Sequence, residues 1–278
     1  MKLALFGLHR GSSAEPDTLA RRARAAEEAG FESLWVGDHV ALPADAADPP
    51  AQPRLEAVIA VAHLAALTSR VRVAIGVIVL PQRQPVLLAK QLATIDVLSR
   101  GRLIVGIGVG YVEPELRALG ASLADRGART DEYLAAMRAL WDEPVPSFAG
   151  RFVGFDGVVQ RPRPVQRPHP PIVVGGHSPS ALRRAVLAGS GWYGWELDVE
   201  RTARALEDLR ETARRHERPA ALGELEITIT PPGVPDLDTA RRYADLGVHR
   251  LAIQPHTMEG RAMDELIATA GETLIGRV

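Results

Sequence analysis

Short apolar runs and amphipathic helical patterns alternate along this chain from one end to the other. That alternation constrains the fold more than any single motif. Strand-like runs centre near residues 3, 34, 75, 105, 173, 193, 227 and 252, and each is followed by a helix-like segment. The run at 71–80 is β-branched and apolar through its centre, the pattern of a parallel strand covered on both faces. Gly30 closes the first helix as a C′ residue, Pro85 opens the third, and Ser178-Pro179 forms an N-cap and N1 pair. Eight β-then-α units in 278 residues predict an α/β fold, a closed (β/α)8 TIM barrel. An open doubly wound sheet is the structural alternative. No composition shift marks a linker, so residues 1–278 read as a single barrel domain. Residues 111–171 form a longer irregular and helical connection between the fourth and fifth strands. Its end, "RPRPVQRPHPP", runs into the start of a strand, and its arginines and His169 are expected in a solvated extended segment on the stability face.

The charge balance removes several function classes. Lys+Arg number 33 against 34 Asp+Glu, so the one-sided basic field needed for nucleic acid or an anionic membrane is missing. The chain has no cysteine, which excludes disulfides, thiolate nucleophiles and Cys-ligated zinc or iron–sulfur centres. Lys2 and Lys90 are the only lysines, and neither follows a strand, which argues against Schiff-base chemistry. The apolar run at 3–8 is short for a signal peptide, and no run of about 18 apolar residues is available to span a bilayer. A soluble cytoplasmic protein is expected.

In a barrel of this kind active sites are built where strands end. Sorted by that rule, His9 and Arg10 follow the first strand, and Asp38 and His39 the second. Gln82, Arg83 and Gln84 follow the third; Gly106, Gly108, Gly110, Tyr111 and Glu113 lie at the end of the fourth. Gly175, Gly176, His177 and Ser178 follow the fifth, Trp192 and Trp195 mark the sixth, and Gln254 and His256 follow the eighth. Histidines thus gather on one rim. No His-x-His or paired-carboxylate spacing accompanies them, so no metal is expected. His39 is the candidate acid–base group, since imidazole titrates near neutrality, with Asp38 beside it as the second catalytic candidate. His9, Glu113, Trp192 and Trp195 are substrate-side candidates.

Two glycine motifs carry binding chemistry. "GIGVG", residues 106–110, is a poor dinucleotide fingerprint because its third glycine is misplaced; small residues there instead suit a flat ring lying against a strand. "VVGGHSPSALRR" places two glycines and Ser178 just before a helix start, where free backbone N–H groups and the helix dipole favour a phosphate.

"SLWVGDH", "PVLLAKQLATIDVLSRGRLIVGIGVGY" and "PPIVVGGHSPSALRRAVLAGSGW" resemble the bacterial luciferase-like monooxygenase superfamily of flavin- and deazaflavin-dependent oxidoreductases. Within it the chain looks most like the coenzyme F420-dependent, mainly actinobacterial class. The resemblance implies a luciferase-like barrel with an isoalloxazine-like ring across the strand ends. It implies a non-proline cis peptide in the third strand, by position Val77-Ile78, supporting the ring from behind. It would set Asp38 and His39 beside the ring, Gly106, Gly108 and Gly110 near it, and Gly175, Gly176, His177 and Ser178 at the cofactor phosphate.

The function expected from this reading is an F420-dependent oxidoreductase moving a hydride between the deazaflavin and a small organic substrate. His39 would be the proton donor or acceptor, and the loop 40–53, with Pro43, Pro49, Pro50 and Pro53, would wall or lid the substrate space. The alternatives are an FMN-dependent monooxygenase using O2, or a non-catalytic flavin-binding barrel. Expected partners are a flavin or F420 reductase and, as an option, a second copy of the chain through the apolar helices at 55–68 and 86–98.

Overall fold

The computed structural model describes residues 1–46 and 51–278. Eight parallel strands close into a barrel: β1 (Lys2–Phe6), β2 (Ser33–Val36), β3 (Arg72–Val79), β4 (Leu103–Gly108), β7 (Ile172–Gly175), β8 (Gly191–Trp195), β9 (Glu226–Thr230) and β10 (Arg250–Ile253). Pairing of β1 with β10, Leu3 opposite Leu251 and Leu5 opposite Ile253, closes the cylinder. The helices are α1 (Pro16–Ala29), α2 (Ala57–Leu67), α3 (Pro85–Leu98), α4 (Glu113–Ala118), α5 (Arg126–Asp142), α6 (Pro179–Ala188), α7 (Val199–Arg215), α8 (Leu237–Asp245) and α9 (Ala262–Thr273). The connection from β4 to β7 holds α4, α5 and a two-stranded hairpin, β5 (Phe148–Ala149) with β6 (Gly154–Phe155). The expected caps are in place: Gly30 is left-handed at φ 96°, and the Ser178 hydroxyl accepts the Ala181 N–H.

Strand side chains alternate between two cores, as the pleat requires. Leu5, Leu34, Val36, Val73, Ile75, Ile107 and Ile253 face outward into the layer beneath the helices. Ala4, Phe6, Trp35, Ala74, Ile104, Val173, Tyr193 and Ala252 fill the interior, with the half-buried Val77 and Trp195 on their edge. The Trp35 indole packs with the Tyr193 ring, 5.3 Å away, while alanines at 4, 74 and 252 leave room for both in a narrow cylinder. The opposite, stability face is sealed by charge. Buried Arg250 bonds both Glu32 oxygens at 2.8 and 3.0 Å, pairs with Glu226 at 2.6 Å, and lies over the Trp35 ring. Enclosed this way, the guanidinium meets carboxylates and a π face in place of water.

The proline-rich segment departs from expectation. Arg161 and Arg167 are exposed as expected, but the segment is docked through its backbone and through His169. Fully buried Asp96 accepts the backbone N–H groups of Val165 and Gln166 at 2.7 and 3.0 Å, and the Gln166 amide at 2.7 Å. His169 is buried against the Trp141 ring. The "SRGR" that follows α3 works on the same face: the Arg102 guanidinium donates to the carbonyls of Ala65, Thr68, Val71 and Ser99. No helix among the described residues is long and apolar enough to cross a membrane. Pro49 and Pro50 of the expected substrate loop lie outside the described residues.

Candidate functional site

The open end of the barrel is shaped by a bulge in β3. Register with β4 shifts between Ile75 and Ile78: Gly76 and Val77 together stand opposite Gly106 alone, one residue more than the partner strand supplies. The non-proline cis peptide joins Gly76 to Val77, one residue earlier than the expected Val77-Ile78 bond. Ile78 is fully buried and faces the helix layer, away from the mouth. Val77 is half-buried at the top of the inner core. Its side chain explains the glycines. A methyl on Gly108 would stand 2.6 Å from Val77 Cγ2, and one on Gly175 would stand 2.8 Å from Cγ1. A methyl on Gly106 would meet Ile75 O at 2.1 Å and Val77 Cγ1 at 3.1 Å. The expected close approach of a flat body to the glycines is therefore made by Val77 itself. On the other side, a methyl at Gly76 would strike the Trp35 ring at 2.4 Å.

Asp38 and His39, adjacent at the end of β2, have different surroundings. Asp38 is buried and its carboxylate is consumed. Arg83 Nε donates at 3.1 Å, Arg83 Nη2 makes a second, short bond, and Val79 N–H donates at 3.0 Å. Burial pushes the Asp38 carboxyl up, while Arg83 and then the Val79 amide pull it back. Arg83 also pairs with Glu56 at 2.7 Å, before α2. This network ties the ends of β2 and β3 to two helix starts. His39 keeps 18% of its side chain exposed. Its Nδ1 faces Glu115 Oε2 at 3.0 Å, and its Nε2 faces the Tyr111 hydroxyl at 3.4 Å. Glu113, the acid expected at this rim, points to solvent with 61% of its side chain exposed. Glu115, one helix position pair later, is the acid that reaches the site.

The other rim candidates sort clearly. His9 is buried beside Phe6, and its Nε2 accepts the Gly37 N–H at 3.2 Å. Burial first, then Arg10, Arg54 and His39, lower its pKa to about 3, so it stays neutral. His177 Nε2 accepts the Trp195 N–H at 3.1 Å; burial and nearby Arg201 hold its pKa below the ordinary value. Trp192 is fully buried on the helix side, its indole N–H donating to Gly176 O at 2.8 Å. It braces the Gly176 turn, where φ is +114°, and does not face the mouth. Trp195 does, with its ring 5.0 Å from Phe6 and 6.2 Å from Tyr193. Gly110 turns the chain at φ +77° toward α4, against Val79 and Leu116.

Beside the glycine turn, the backbone N–H groups of His177 and Ser178 donate to no group among the described residues, whereas that of Gly176 reaches Tyr193 O at 3.4 Å. A cavity of about 190 Å³ adjoins them, lined by His177, Leu182, Leu197, Arg201, Arg204 and Asp208 among others. Among the described residues neither arginine pairs with a carboxylate, Arg201 donating to Glu196 O at 3.3 Å, although α7 holds both on one side of the cavity at i, i+3 spacing. Free amides at a helix start faced by two guanidiniums fit a phosphate or other anion. The arginines were missed in the sequence because α7 reads as an ordinary charged surface helix.

A closed parallel barrel with a bulged third strand, a glycine-lined valine shelf and an amide cradle after the fifth barrel strand defines the class. The chain belongs to the luciferase-like monooxygenase family, which it matches over residues 1–266. It is 32% identical over 261 residues to the uncharacterized protein Rv0953c of Mycobacterium tuberculosis, covering 88% of each chain. It is also 32% identical over 163 residues to the FMNH(2)-dependent dimethylsulfone monooxygenase of Pseudomonas putida, covering 58% of this chain and 45% of that one. Among solved structures, an F420-dependent secondary alcohol dehydrogenase in complex with an F420-acetone adduct superposes with a TM-score of 0.80, at 17% identity over 98% of both chains. That likeness concerns the fold.

Proposed function

We propose that this chain is an oxidoreductase that uses coenzyme F420 to move a hydride to or from a small organic substrate, with His39 handling the accompanying proton. The observation that carries the reading is the meeting, on one rim, of a half-buried valine shelf with the His39 imidazole, whose Nδ1 is held by Glu115 and whose Nε2 is left free of backbone. A deazaflavin held there would supply the hydride-carrying carbon. Val77, seated on Gly106, Gly108 and Gly175, would support the ring face. The N–H groups of His177 and Ser178, with Arg201 and Arg204, would hold the phosphate and acidic tail. Phe6 and Trp195 would wall the substrate side, and Asp38 would act only by fixing the rim. The F420-dependent alcohol dehydrogenase supports this reading through its shared fold.

The Pseudomonas relative supports a second reading, an FMN-dependent monooxygenase supplied by a separate reductase. Fluorescence titration of the purified protein with F420 and with FMN separates the two. Sub-micromolar binding of F420 with much weaker FMN is expected; the reverse order moves the assignment to the second reading. Tight binding with no turnover across a broad substrate panel would instead mark a barrel that only binds the cofactor. His39→Asn should leave cofactor affinity nearly intact and lower turnover by about 10²–10⁴-fold; unchanged turnover removes His39 from the mechanism. Exposed Ile59 on α2, with Leu87 and Leu98 on α3, supports a homodimer through these helices, which sedimentation would detect.

A further inference from the structure

We infer that Glu115 is a positioning residue that fixes which nitrogen of His39 carries the proton and aims the other one, Nε2, at the reacting groups. Its catalytic meaning rests on the function proposed above; the geometry does not.

Glu115 keeps only 2% of its side chain exposed, yet every hydrogen bond of that side chain is to one short stretch of chain. Oε2 faces His39 Nδ1 at 3.0 Å, and Oε1 accepts the N–H groups of Val40 and Ala41 at 2.5 and 3.1 Å. A carboxylate buried to this degree persists as an anion only with such donors. Burial pushes its pKa up, but His39 and the two amides outweigh it and hold the group below the ordinary value. An anionic oxygen facing Nδ1 requires a proton on Nδ1. In the neutral ring Nε2 then carries the lone pair, with the Tyr111 hydroxyl at 3.4 Å. Protonation of Nε2 would leave the bond to Glu115 intact. This is the logic of a carboxylate orienting a histidine in hydrolase triads, here carried from α4 to a residue 76 positions away. The same carboxylate pins Val40 and Ala41, so the pose of His39 and the start of its loop depend on one side chain.

The test is heteronuclear NMR of histidine-labelled protein without cofactor at alkaline pH, with His39 signals identified by their loss in His39→Asn. The wild-type ring should carry its proton on Nδ1. Glu115→Gln keeps an oxygen for the Val40 and Ala41 amides but turns an NH2 toward Nδ1, so the proton should move to Nε2. That variant should retain its melting temperature and bind cofactor within about 3-fold of wild type, while turnover falls by about 10²–10⁴-fold. A proton on Nε2 in the wild type overturns the inference with no variant needed, as does a Glu115→Gln protein with unchanged tautomer and turnover. If the tautomer switches as expected but the wild type binds neither F420 nor FMN, the proposed function fails and the positioning role stands.

Discussion

The valine shelf makes a prediction whose size follows from interatomic distances. Gly108→Ala would place a methyl 2.6 Å from Val77 Cγ2, about 1 Å inside ordinary carbon contact. Overpacking of this kind costs about 1–3 kcal/mol, so a value near 2 is expected. Val77→Ala removes two methyl groups from a half-buried site, worth roughly 1 kcal/mol at about 0.8 kcal/mol per fully buried methylene. The double variant should cost only about 1 kcal/mol, because the methyl on residue 108 enters the space that Val77 vacates. The coupling is then about 2 kcal/mol, well outside the additivity expected of independent sites. Gly106→Ala is the control. Its methyl would meet a backbone oxygen, Ile75 O, at 2.1 Å, and no truncation at 77 relieves that. Thermal or urea unfolding of the single and double variants reads the cycle; in a chain this long, 2 kcal/mol corresponds to a melting shift of about 4–8 °C. Additive costs at 77 and 108, or rescue of Gly106→Ala by Val77→Ala, would refute the view that the glycines exist to seat Val77.

Three further outcomes follow from separate parts of the molecule. Arg201→Ala combined with Arg204→Ala should weaken binding of a phosphate-bearing cofactor by about 10-fold or more, with a smaller salt dependence than wild type; equal affinity by fluorescence titration would detach these arginines from the cradle. Asp38→Asn should destabilise the protein by about 2–3 kcal/mol, less than the loss of an isolated buried pair because Arg83 keeps Glu56, as read by urea unfolding. Glu27 accepts the N–H groups of Ser69, Arg70 and Val71; burial raises its pKa, but these bonds bring it down from 4.5 to about 2. A folded pKa below the unfolded one means its stabilisation is complete above about 4.5 and is lost as pH falls toward 2. Glu27→Gln should therefore flatten the acid limb of the stability profile in that window.

Residues that act through chain-local rules were legible in the sequence. The barrel follows from strand and helix periods, Ser178 and Gly30 from cap chemistry, and the membership of the candidate rim from which residues follow a strand. Tertiary partners were not. Glu115 and Glu113 are equivalent as letters, both acids in the first turn of α4; only the closure of the barrel decides which one meets His39. The glycines of β4 correctly marked a close approach, but sequence could not say that the approaching body was a valine from the neighbouring strand. The one-residue error in the cis peptide has the same root, because a bulge breaks the period-two count by which strand positions are assigned. Asp96 hides for a different reason: inside a helical pattern it reads as solvated, whereas its carboxylate organises a proline segment about 70 residues downstream.

The hydrogen bonds of the rim histidines supply an argument for His39 that does not depend on any relative. His9 and His177 each spend Nε2 on a backbone N–H, from Gly37 and from Trp195. Placing a proton on either Nε2 would break a bond that holds the end of β2 or of β8, and His9 is correspondingly driven to a pKa of about 3. These rings can hold the rim only by remaining neutral. His39 is attached through the opposite nitrogen and to an anion, so gaining a proton at Nε2 costs it no hydrogen bond. Proton transfer at neutral pH without loosening the barrel mouth requires such an attachment. Among the three, His39 alone has it, and Glu115 is the group that provides it.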